Sequence, residues 1–158
     1  SPAIISRDHP LYNVEDVFNA IVVKGDAIGD AMFYGRGAGK LPTASAVVAD
    51  IIDIAKHPDF GTRNVWVRTN SDNVLPVSES SAKFLVRVET ENSSETRSNI
   101  KSLFGEVEFI DIGSRIQGVE VAFISPVLPE REIENKLSQL RTMKSVINIA
   151  NSIRIEEE

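Results

Sequence analysis

Phe33-Tyr34-Gly35-Arg36-Gly37-Ala38-Gly39-Lys40-Leu41-Pro42-Thr43-Ala44-Ser45-Ala46-Val47 runs from an apolar strand through a glycine-rich turn into an amphipathic helix. Such a join places free backbone N–H groups at the positive end of a helix, where an anion or a nucleotide can lie. Upstream, Val17–Val23 and Ile28–Tyr34 flank Lys24-Gly25-Asp26-Ala27 and predict a β-hairpin. Downstream, Ala44, Val47, Val48, Ile51 and Ala55 fall on one face of a helix expected over residues 43–56. Pro42 suits its first turn, and Pro58 stops it soon after His57. A short strand around Trp66 follows. Then comes a Ser-, Asn-, Asp- and Pro-rich stretch, Thr69 to Ser81, that reads as a linker.

Beyond the linker the pattern changes. A strand at Lys83–Glu89 precedes a helix carrying Ile100, Leu103 and Phe104 and ended by Gly105. Strands at Glu106–Ile112 and Gly118–Ile124 flank a turn at Gly113-Ser114. Pro129 then opens a helix with Ile133, Leu137 and Leu140 at i, i+4 and i+7, and a last strand covers Val146–Ile155. The order βαββαβ is that of a ferredoxin-like sandwich, with both helices on one sheet face. The fold class is therefore α+β: a hairpin and helix, then a βαββαβ domain. A generic small α+β domain is the alternative.

Composition narrows the function. At 158 residues and 42% apolar content the chain suits one ordinary domain or two small ones. The net charge of −6 is spread evenly over the two halves, so no basic face is suggested and neither nucleic acid nor an anionic membrane is an expected partner. The lack of cysteine excludes disulfides, zinc-thiolate sites and thiol nucleophiles, and fits the reducing cytoplasm. No apolar run approaches the roughly 20 residues that span a bilayer. Because strand-like sequence begins almost at Ser1, the chain reads as the middle of a longer protein.

Little else resembles active-site chemistry. Gly39-Lys40 is followed by Leu41 rather than Ser or Thr, so the phosphate-loop pattern fails, and Lys40 stands where a dinucleotide fingerprint needs its third glycine. On physics alone, a structural turn with positive-φ glycines is the ordinary explanation. His9 and His57 each precede a proline at the edge of an element, with no metal-ligand spacing, and suit surface or capping roles. Asp50 and Asp53, with Lys56 at the next turn, suit a solvated helix face. No catalytic set and no metal site is expected.

Taken together, Asp8-His9-Pro10-Leu11, Val17-Phe18-Asn19-Ala20-Ile21, Gly35-x-Gly37-Ala38-Gly39, Pro42-Thr43-Ala44-Ser45-Ala46-Val47 and Asp50 resemble the end of the catalytic portion of homoserine dehydrogenases. The second half resembles the ACT regulatory domain that follows it in many bacterial enzymes. The resemblance divides the chain into residues 1–70, a linker at 71–81, and an ACT-like domain at 82–158. It implies NAD(P)-dependent interconversion of L-homoserine and L-aspartate 4-semialdehyde, on the route to threonine, methionine and isoleucine. It also implies that Gly39, with Gly37, Ala38 and Thr43, approaches the nicotinamide end of the cofactor, and that the hairpin joins the sheet of a subunit interface in a homo-oligomer.

The family's catalytic lysine and nucleotide fingerprint are expected upstream of Ser1. The chain by itself is thus expected to be inactive and to hold no cofactor tightly. ACT domains that bind amino acids usually carry an Asp-x-Pro-Gly-like turn, but Thr90-Glu91-Asn92-Ser93-Ser94-Glu95 stands here. Asn92, Ser93 and Ser94 then either cap the helix or bind an effector such as threonine. A non-catalytic module for amino-acid binding or oligomerisation is the alternative function.

Overall fold

The computed structural model describes residues 2–58, 74–111 and 120–156. The alternating apolar stretch upstream of the glycine turn forms the hairpin: β2 (Phe18–Gly25) pairs antiparallel with β3 (Gly29–Arg36), from Phe18 opposite Arg36 to Gly25 opposite Gly29. The first strand ends two residues later than the sequence predicts and the second begins one residue later, leaving a three-residue connection, and Lys24 stands opposite Asp30 as a cross-strand pair of opposite charge. Helix α1 covers Lys40–Lys56. It starts three residues earlier than expected, since a proline in the first turn needs no N–H partner and Pro42 interrupts nothing. His57 ends it, its backbone N–H donating to the Asp53 carbonyl over 3.0 Å.

The strand–helix–strand pattern after residue 80 appears as a sheet. A single 3-10 turn, Val77–Glu79, leads into β4 (Ser81–Thr90), followed by α2 (Ser93–Phe104), β5 (Glu108–Ile110), β6 (Glu120–Ile124), the two-residue β7 (Leu128–Pro129), α3 (Glu130–Arg141) and β8 (Val146–Glu156). Gly105 ends α2 at φ 77°, a left-handed conformation that a side chain would strain. Among the residues that are described, β5 is shorter than the predicted Glu106–Ile112. The expected Trp66 strand and the Gly113-Ser114 turn lie outside the described residues.

The strands order as β1-β8-β4-β6-β5, with β7 paired to the start of β4. Every pairing among β4, β5, β6 and β8 is antiparallel. The strand β1 (Ala3–Ile5) adds to the outer edge of β8 in parallel, Ala3 opposite Arg154. Contacts accordingly divide the chain into two compact units, one holding residues 2–6 and 74–156 and the other residues 7–58 of the described chain. The glycine turn lies wholly in the second.

In the larger unit, Ala82, Phe84, Val86 and Val88 alternate along β4 and pack with Val121 and Phe123 against Ile100 and Phe104 of α2 and Ile133, Leu137 and Leu140 of α3. Both helices therefore lie on one face of the sheet. Phe123 is fully buried and meets Phe104 edge-on at 5.1 Å between centroids. One end of this core is polar. The Thr90 Oγ1 lies 2.7 Å from the Thr96 Oγ1 and donates to the Ser145 carbonyl over 2.7 Å, while Thr96 donates to the Ser145 Oγ over 2.9 Å. All three residues are buried, and their mutual bonds offset the cost of taking hydroxyls from water.

Candidate functional site

Three glycines shape the join between β3 and α1, each for a different reason. Gly39, the N-cap residue of α1, stands at φ 119° and ψ 140°, a backbone state that L side chains rarely adopt. Gly37 has no such φ, but a Cβ there would coincide with the Asn19 Nδ2 and lie 2.5 Å from its Cγ. Gly35 is neither twisted nor crowded, and nothing lies within 4 Å of the place its Cβ would take. The first is required by conformation, the second lies against the exposed side chain of Asn19, and the third leaves open space.

The turn is fixed at both ends. At its start the Gly37 N–H donates to the Val17 carbonyl over 3.1 Å. At its end the Gly39 carbonyl accepts from the Thr43 N–H at 3.2 Å and from the Thr43 hydroxyl at 3.0 Å. No side chain caps α1, and no acidic residue stands in its first turn. The N–H groups of Lys40 and Leu41, which have no partner inside a helix, are thus left for whatever approaches the turn. On the opposite face of the hairpin, Phe18 and Tyr34 stack at 5.0 Å with Arg36 over the Phe18 ring. The sequence-predicted residues Gly37, Ala38, Gly39 and Thr43 are therefore contiguous, with Thr43 bonded back onto Gly39.

A nicotinamide nucleotide fits this set of groups in kind: uncapped amides at a helix N-terminus, a basic Lys40, and glycines that let the backbone come close. The described residues hold no group of three His, Asp or Glu side chains able to bind a metal. No helix among them is long and apolar enough to cross a membrane.

The second set of sequence-predicted residues is elsewhere, in the larger unit. Asn92 is the N-cap of α2, its Oδ1 accepting from the Glu95 N–H at 3.2 Å while its Nδ2 reaches the Glu95 carboxylate at 3.4 Å. Asn92 thus caps α2 by its side chain, while its own N–H donates to the Thr90 Oγ1 over 3.0 Å, with Ser93 and Ser94 in the first turn behind it. The residue that sequence reasoning passed over is Asn19. Its contact with Gly37 depends on strand register, which no local pattern displays.

Comparison with known proteins decides the kinship of this segment. The family model described as homoserine dehydrogenase matches residues 1–52. A homoserine dehydrogenase of Neisseria gonorrhoeae is 31% identical over 98% of the chain. The chain is homologous to homoserine dehydrogenases. A homoserine dehydrogenase of Lactococcus lactis is 50% identical over 62 residues, 39% of this chain and 14% of that protein. A crystal structure of a homoserine dehydrogenase from Thiobacillus denitrificans superposes with a TM-score of 0.79 over 98% of this chain and 38% of that one, at 24% identity, and so shares the fold. The chain spans 39% of the length of its Neisseria relative.

Proposed function

We propose that this chain supplies one wall of the nicotinamide site, together with an ACT domain, in an NAD(P)-dependent homoserine dehydrogenase. The substrates on this reading are L-homoserine and L-aspartate 4-semialdehyde. The observation that carries it is the uncapped start of α1 behind Gly39, inside the segment that the family model matches. NAD(P), when bound, supplies the acceptor and donor of a hydride. This chain's own contribution is positional. Gly39 lets the backbone come close, Thr43 fixes the Gly39 carbonyl, and the Lys40 and Leu41 amides offer donors. On this reading the residues that move protons belong to other parts of the complete enzyme, and the isolated chain is expected to be inactive.

The test is Gly39→Val in the complete enzyme. The φ of 119° strains any side chain, and a Cβ would sit 3.3 Å from the Pro42 Cδ. A displacement of the turn by about 1 Å is expected to lower kcat/KM by about 10²-fold. Unchanged turnover and cofactor affinity would overturn the assignment.

Support for the ACT half comes from the antiparallel order β8-β4-β6-β5 with two helices on one face, the arrangement of a ferredoxin-like sandwich. Its role on this reading is subunit assembly into a homo-oligomer rather than sensing. Asn92, an expected effector contact, already spends its carbonyl oxygen on the Glu95 N–H. Calorimetric titration with threonine, isoleucine and methionine is expected to give no saturable heat. Binding abolished by Asn92→Ala and Ser94→Ala would restore the sensing role.

A further inference from the structure

The segment that leads into β4 belongs to the larger unit, yet the apolar core does not hold it. Leu75 and Val77, on either side of Pro76, are 79% and 69% exposed, so this strap gains little from burial. It still takes a defined path. The 3-10 turn Val77–Glu79 forms, and the Ser80 N–H donates to the Val77 carbonyl over 3.0 Å. The groups that tie the strap down are polar, and they meet at Ser80.

Ser80, Glu130 and Arg154 form a closed ring in which each residue is bonded to the other two. The Glu130 N–H donates to the Ser80 carbonyl over 3.0 Å. The Arg154 Nη1 donates to the Ser80 Oγ over 3.1 Å, and its Nη2 donates to the Glu130 Oε2 over 2.7 Å. The ring thus joins the end of the strap to the first residue of α3 and to β8. Arg154 and Glu130 are largely buried, where a charge-assisted bond is strong and little screened. The guanidinium lies 5.9 Å from the ring centroid of Phe84 in the core, and the Glu156 Oε1 stands 3.5 Å from Nη1.

One donor is left out of this ring. The Arg154 Nε is buried and has no hydrogen-bond partner, and a buried donor without one is costly. Beside it lies a cleft of about 460 Å³, lined by Leu75, Pro76, Val77, Ser80, Arg154 and Glu156. The cleft gives the guanidinium room to turn, and turning brings the Nε–H to water. Both lower the cost of opening.

We propose that the Ser80–Glu130–Arg154 ring is a releasable clasp on the strap, with Arg154 as its closing residue. Shut, it makes residues 75–80 part of the larger unit. Open, it hands those residues to the connection between the two units, which adds up to about 20 Å of reach. The chain passes between the units twice, and the other passage, after Ser6, is held by the backbone pairing of β1 with β8. That passage does not depend on the clasp.

Residue-resolved amide hydrogen exchange of this chain tests the clasp. Arg154→Met keeps a long apolar stem and removes every donor. The Glu79, Ser80 and Glu130 amides are then expected to exchange at least about tenfold faster, the loss of a charge-assisted bond. Val86, Val88 and Phe123 in the sheet, and the β1 amides, are expected to keep the parent rates. Ser80→Ala leaves the Arg154–Glu130 pair in place and is expected to speed the same strap amides by a few-fold. In the Arg154→Met background it is expected to add nothing, since an open clasp has nothing further to release.

A uniform rise across strap and sheet in Arg154→Met would overturn the proposal, because Arg154 would then stabilise the unit as a whole. Additive effects of the two substitutions would overturn it as well. Unchanged strap exchange in Ser80→Ala does the same, and that variant keeps the test decisive should Arg154→Met fail to fold.

Discussion

The two units of this chain bury their apolar residues to opposite extents. Around β4, α2 and α3, side chains such as Phe123, Ile100 and Leu140 are fully removed from water, and even the hydroxyls of Thr90 and Thr96 are enclosed and bonded. In the hairpin and α1, no residue of the helix is buried, and Ile21, Phe33 and Ile54 are 65%, 66% and 70% exposed. Both sequences show the same amphipathic periodicity. Periodicity specifies which face wants cover, whereas burial requires that the cover be present. One unit supplies its own layers. The other offers apolar surface that the described residues do not use, and large exposed apolar surface marks an interaction site.

Three substitutions measure that contrast. The largest effect is expected for Phe123→Ala, a buried aromatic removed from between Phe104 and Phe109, at about 3–5 kcal/mol of stability lost in urea unfolding of the larger unit. A loss below about 1 kcal/mol would show that this core is not packed as described. Thr96→Val comes next. It keeps the volume but leaves the Thr90 and Ser145 hydroxyls short of a partner, which is expected to cost about 1–3 kcal/mol in the same assay. An unchanged midpoint would mean that the hydroxyl cluster contributes nothing net. The smallest effect is expected for Ile54→Ala in α1 of this chain, within about 0.5 kcal/mol by thermal or urea melting, as for other exposed positions. Should it cost several times that, Ile54 has cover in solution and the contrast between the units dissolves.

What could be read from the sequence follows the range of the interactions involved. The hairpin, the end of α2 at Gly105 and the start of α3 after Pro129 are local events, decided by alternation, by a left-handed glycine and by a proline; the last two stand where the pattern puts them, and the hairpin within two residues of it. That Gly37 lies against the Asn19 side chain was not legible, because Asn19 stands eighteen positions earlier and one strand away. The buried cluster of Thr90, Thr96 and Ser145 was hidden for the same reason: hydroxyls of three elements converge only after the sheet has formed. The candidate site was legible as a string of residues. Its internal arrangement, in which Gly39 takes a positive φ, Gly37 lies against the Asn19 side chain and Gly35 faces open space, was not.

The parallel pairing of Ala3–Ile5 with Arg154–Glu156 makes the larger unit discontinuous in sequence. The hairpin and α1 are, in topological terms, an insertion between the first strand of a sheet and its remaining strands. A clone of residues 74–158 would therefore omit a strand. It would uncover the outer edge of β8 at Arg154–Glu156 and so lengthen a row of unpaired backbone donors and acceptors, the kind of edge that recruits another chain. Self-association of such a truncated product would report the missing edge rather than the protein's native assembly, so the oligomeric state of this half has to be measured with the first six residues in place.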